Sequence, residues 1–267
     1  MTDSIHEVAF AALMLASPEQ KCAAVAHLHQ CWEEGAYRVH PAENDAEPIE
    51  NPGRPPRPEL VPPQALQPRR VTSAEGHAAL IHAIAHIEFN AINLALDCVH
   101  RFRAFPHAFH SGWIKVAADE ALHFGMLRTR LHSLGFDYGD FPAHNGLWDM
   151  ACRTAHDPLA RMALVPRVLE ARGLDATPAI IAKLRGIGDR ESIAVLERIL
   201  ADEVSHVALG DHWFKLICSE RKLDPEATYI ALIDLFAVAR PHPPINEAAR
   251  RAAGFSADEL AWMSSRR

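Results

Sequence analysis

Two copies of Asp-Glu-x-x-His lie in this chain, at Asp119, Glu120 and His123 and at Asp202, Glu203 and His206. A glutamate precedes each copy at almost the same distance. Glu88 lies 32 residues before Glu120, and Glu170 lies 33 before Glu203. Positions i and i+3 of a helix share a face, so each Glu-x-x-His pair aims two metal ligands at one spot. Two such pairs and two single glutamates supply four carboxylates and two imidazoles, the ligand set of a dinuclear iron or manganese site in a four-helix bundle. The spacing assigns Glu88, Glu120 and His123 to one ion and Glu170, Glu203 and His206 to the other, with Glu120 and Glu203 as bridges. Carboxylate with imidazole suits iron and manganese alike, so two iron ions are expected, with manganese or a mixed pair as alternatives. A single zinc site would not use four glutamates.

A lone Glu-x-x-His is most often surface decoration. Here the flanks are apolar: Ala117, Ala118, Ala121, Leu122 and Phe124 around one copy, and Ile199, Leu200, Val204, Val207 and Ala208 around the other. Charged groups embedded in apolar helix surface are paired or metal-bound. The leading aspartates have a use as well, because a metal-bound histidine needs its second ring nitrogen anchored. An aspartate is short and reaches a facing helix more readily than its own. Asp119 is therefore expected to orient His206, and Asp202 to orient His123. No catalytic residue beyond the ligands is assigned. His82 and His86 are expected to pack or face the surface, and Tyr138 and His144 to lie in a loop. Arg167 and Arg172 are expected to form salt bridges or helix-end contacts.

These ligands need long helices. Residues 4–34 read as two short helices, with Ser17-Pro18 starting the second. Nine of the nineteen prolines fall between Pro41 and Pro68; that segment should be extended, and Ile49, Leu60, Val61 and Leu66 favour a strap on the surface. Thr72-Ser-Ala-Glu75 reads as a capping box, opening a helix to about Phe105. A second helix spans roughly 107–134 and ends before Gly135. A third is capped by Asp157-Pro158 and ends near Gly173, with a bend expected at Pro166 before Glu170. Thr177-Pro178 starts a short helix, Asp189 caps a long one to about Glu220, Asp224-Pro225 opens another to about Ala239, and Ser256-x-x-Glu259 caps the last. No strand pattern is present. Two helix pairs joined by the stretch between Gly135 and Asp157 give an all-α, ferritin-like bundle with one long crossover. The divisions expected are 1–70 for the N-terminal helices and strap, 71–222 for the dimetal bundle, and 223–267 for C-terminal helices of the same domain.

The chain has 267 residues, 49% of them hydrophobic, and a formal net charge of −7, so nothing in its bulk charge invites nucleic acid. Arg250, Arg251, Arg266 and Arg267 form only a local basic patch. Five cysteines without a Cys-x-x-Cys argue against a disulfide framework and for the cytoplasm. No signal peptide or membrane span is expected.

From about Ser17 to Leu260 the chain resembles a bacterial ferritin-like family of unknown function. The resemblance rests on residues 52–63, His86-Ile-Glu88, 118–124, 138–144, 164–175 and 202–208. It implies a ferritin-like fold and a dinuclear site at the six positions named, and little about the reaction. A more distant similarity, in ligand pattern only, is to tRNA-hydroxylating diiron monooxygenases. The function expected is a dinuclear non-haem oxidoreductase activating dioxygen or peroxide toward a small organic substrate. A non-catalytic iron- or manganese-binding protein, an interaction module and a tRNA-modifying hydroxylase are the alternatives. The partners expected are a small-molecule substrate and an electron-donor protein, with a homodimer as the assembly; neither nucleic acid nor a membrane is expected.

Overall fold

The computed structural model describes residues 4–40, 46, 49–67 and 69–265. Parts of the proline-rich segment (41–45, 47–48 and 68) and the pair Arg266 and Arg267 lie outside the described residues. All regular structure among the described residues is helical, apart from two isolated bridges. The chain divides into two compact units, Met1–Cys152 and Arg153–Arg267.

In the first unit, α1 (Ile5–Leu13) and α2 (Pro18–Glu33) precede the long helices α3 (Ala74–Arg101) and α4 (His107–Ser133), and α5 (Gly146–Arg153) follows. Ser17 caps α2 by accepting from the Gln20 amide, with Pro18 in the first turn. The cap of α3 is Ser73, which accepts from the Gly76 amide, so the expected box from Thr72 to Glu75 does not form. Gly135, at φ +84°, ends α4 where glycine tolerates the left-handed region. Helix α3 packs along α4, α1 on α3, and α2 on α4.

Polar groups fix those helices as well as apolar ones. His6 Nδ1 donates to the Val99 carbonyl at 2.7 Å, and His100 Nδ1 donates to the His6 carbonyl at 3.1 Å. The buried Lys21 amine donates to the Leu13 carbonyl and to Asn93 Oδ1, each at 2.5 Å. One ammonium thus ties α2 to α1 and α3, and burial lowers its pKa to about 7. Helix α3 is long and apolar enough to cross a membrane by length and composition, contrary to expectation, but most of it is buried in the structure. Its apolarity is that of a core helix.

The described part of the strap lies on this unit. Val61 donates to the Ala143 carbonyl and Ala143 to that of Glu59. Pro52, Gly53 and Pro58 are buried, whereas Ile49, Leu60, Val61 and Leu66 are only half-buried. A Cβ on Gly53 would sit 2.3 Å from the Met14 carbonyl carbon, so glycine permits the close approach of the two backbones.

In the second unit, α6 (Pro158–Leu164) runs into a π-helical turn, Val165–Glu170, and then into α7 (Ala171–Gly186). The helix expected to end near Gly173 continues instead, and no new helix starts at Thr177. Pro178 lies inside α7. The Leu174 carbonyl, which Pro178 cannot serve, accepts from Asn246 Nδ2 at 3.1 Å. The bend expected at Pro166 is the π-helical turn, whose wider ring accommodates the missing donor. Helix α8 (Arg190–Glu220), capped by Asp189, then leads to α9 (Pro225–Leu235). Two short helices follow: α10 (Glu247–Ala252), which sequence reasoning missed, and α11 (Ala257–Ser264). The capping box of Ser256 and Glu259 at α11 forms as expected. The α6–α7 rod packs along α8.

Candidate metal centre

In the first unit, α3 presents Glu88 and α4 presents Glu120 and His123. All three are buried, at 4%, 1% and 1% exposure. His123 Nδ1 lies 3.1 Å from Glu88 Oε2 and 3.3 Å from Glu120 Oε2. Ligand atoms of these three groups fall within 4.8 Å of one another. A carboxylate only accepts, so Nδ1 carries the proton that the two glutamates share. Burial alone would disfavour the imidazolium. The hydrogen bonds and charges of Glu120 and Glu88 outweigh it and raise the His123 pKa to about 10. Two carboxylates and an imidazole thus converge in an apolar interior, with a proton as their common cation. Such a donor set fits a divalent cation of borderline hardness.

The second unit repeats the pattern. Helix α8 buries Glu203 and His206, with His206 Nδ1 3.6 Å from Glu203 Oε1. Glu170 is half-buried at the last position of the π-helical turn. That turn is anchored on α8. A Cβ on Gly210 would fall 2.3 Å from Pro166 Cγ, so glycine there lets the Pro166 ring seat one turn beyond His206. Arg167 is fully buried and donates to Asp211 at 2.9 Å and to Glu259 at 2.5 Å. Its guanidinium also lies 4.3–4.7 Å from the ring centres of Phe214, Tyr229 and Phe255. The salt bridge expected for Arg167 is present, and it fixes the turn that carries Glu170.

The leading aspartates each meet a cation one turn earlier. Lys115 Nζ donates to Asp119 at 2.6 Å, and Arg198 Nε donates to Asp202 at 2.6 Å. The repeat is therefore longer than sequence reasoning recognised: a basic residue four places before each Asp-Glu-x-x-His.

Around the first trio, Tyr138 reaches back from the loop after α4. Its hydroxyl donates to His86 Nδ1 at 2.9 Å, and its ring lies 5.4 Å from Phe89 and 5.1 Å from Phe124. Those phenylalanines directly follow Glu88 and His123. His86 Nε2 donates to the His144 carbonyl at 3.0 Å, and His82 Nε2 accepts from the Gly139 amide at 2.9 Å. His82 and His86 are i and i+4 on α3, a helix-face pairing that could have marked them as a unit; their loop partners are too distant in sequence to find that way. Burial lowers both pKa values to about 4.

A family model described as "Protein of unknown function (DUF455)" matches residues 14–261. An "Uncharacterized protein" of Haemophilus influenzae is 41% identical over 267 residues, covering 94% of this chain and 91% of its own length. No solved structure matches.

Proposed function

The chain belongs to the DUF455 family, and on that footing we propose that it binds two metal ions, iron or manganese, and uses them as an oxidoreductase on a small organic substrate. The observation that carries the reading is the buried trio Glu88, Glu120 and His123, two carboxylates facing one imidazole nitrogen. The second support is the repeat, since Glu170, Glu203 and His206 stand at matching sequence positions and Glu203 and His206 are likewise buried. In this proposal the six residues would hold one dinuclear centre of a ferritin-like bundle.

When bound, such a pair of ions supplies redox chemistry with dioxygen or peroxide. The chain's own groups prepare the place. Apolar neighbours such as Phe89 and Phe124 limit water, which strengthens every charge interaction inside. In this reading Asp119 and Asp202 would hold the second nitrogens of His206 and His123, respectively, and fix their tautomers. The test is metal content after loading with iron(II) or manganese(II). The proposal expects two ions per chain, falling to one or none in a Glu120→Ala, Glu203→Ala double variant that stays folded. A chain that binds neither metal overturns it.

A further inference from the structure

Arg167, Arg198, Arg221, Arg250 and Arg251 of the second unit each hold a carboxylate. Arg172 and Arg240 do not: among the described residues, neither has a carboxylate in ion-pair range. Both line one open groove of about 440 Å3 between α7 and the segment 239–244. Arg172 Nη2 donates to the Ala239 carbonyl at 3.1 Å. The Arg240 guanidinium stacks 4.1 Å from the Trp262 ring centre and donates from Nη2 to Ser265 Oγ at 2.7 Å. Its Nε is buried and has no partner among the described residues. A buried donor left unserved costs free energy, about 1–3 kcal/mol in typical cases. The groove's one acid, Asp175, is already held by Arg250, with Nη2 at 2.7 Å and Nε at 3.0 Å. The groove therefore carries two positive charges that no carboxylate among the described residues balances.

We propose that this groove binds the phosphate group of a small organic molecule between Arg172 and Arg240. Guanidinium forks match phosphate oxygens in geometry, and two of them match a dianion in charge. Stacking on Trp262 and the bond to Ala239 hold the two side chains in place, which lowers the entropy lost on binding. The groove is larger than a lone phosphate, and a second groove sharing Arg240, Pro241 and His242 extends it, so an organic body has room beside the anion. Nothing in this inference depends on the metal ligands.

The test is calorimetric titration of the full chain with inorganic phosphate, phenyl phosphate and acetate. Saturable binding is expected for both phosphates, tighter for the ester, and none for acetate. Arg172→Gln and Arg240→Gln should each raise Kd at least about tenfold, as loss of a charge-assisted pair implies, while Arg251→Gln leaves it unchanged. Absence of saturable binding, equal binding of acetate, or equal loss in Arg251→Gln overturns the proposal. If either groove variant fails to fold, phenylglyoxal mapping on the unaltered chain decides: phosphate must protect Arg172 and Arg240 from modification, and unprotected arginines overturn it.

Discussion

His123 shows how a single buried side chain reports on its surroundings. Its Nδ1 sits between two carboxylates and holds a proton far above the usual histidine range. In the proposed site the ions would take over the charge balance that this proton provides, and Asp119 and Asp202 would stabilise the histidines from behind. Asp119→Ala is expected to weaken metal binding by about 10–100-fold, the range for partners that orient ligands. Competition titration against a chelator measures it, and an unchanged affinity would remove Asp119 from the proposed site. Other histidines do the opposite. Burial lowers His82 and His110 to about 4, against an ordinary value of 6.5. His82 Nε2 must stay unprotonated to accept from Gly139. His110 donates from Nε2 to Phe105, and its Nδ1 is buried without a partner among the described residues. The unfolded chain gains these protons as pH falls through 6.5, while the folded chain resists until about 4. Their contribution is therefore complete above 6.5 and is lost progressively down to 4, on the order of 3 kcal/mol for each. Urea unfolding at about pH 7 and about pH 5 should show this loss, and His110→Gln should make it shallower. An unchanged slope in that variant would remove His110 from the account.

At the scale of elements, most helix starts were legible because caps are local. Ser17, Asp157, Asp189, Asp224 and Ser256 all cap where expected. The start of α3 was misplaced by one residue, since Thr72 and Ser73 offer the same hydroxyl and only the backbone decides between them. Ser73→Ala should cost about 1 kcal/mol and Thr72→Ala close to nothing, as read from denaturant midpoints; equal costs would contradict the observed cap. The continuous run from Pro158 to Gly186 was not legible. Pro166, Gly173 and Pro178 are sound local stop signals, yet the helix runs through all three: Gly210 makes room for Pro166, and Asn246 serves the carbonyl that Pro178 leaves open. Asn246 also caps α10, accepting from the Ala249 amide. Asn246→Ala therefore removes two hydrogen bonds and is expected to destabilise by about 1–3 kcal/mol. A change within experimental error would mean that solvent serves both groups equally well.

For the whole molecule, the all-α class could be read from caps and the absence of strand pattern, and the helices that carry Glu88, Glu120, His123, Glu203 and His206 from a short repeat. The Tyr138–His86–His144 network and the buried Arg167 cage could not, because each joins residues far apart in sequence through contacts that no local pattern encodes. In the proposed function the repeat supplies two half-sites, one on α3 and α4 and one on the π-helical turn and α8, that would serve one pair of ions. Electron paramagnetic resonance of the chain loaded with manganese(II) tests this most directly. Ions sharing carboxylate bridges are exchange-coupled, so the account predicts the spectrum of a coupled pair, lost in Glu120→Ala and in Glu203→Ala alike. A fully loaded chain showing only the spectrum of isolated manganese ions would contradict it.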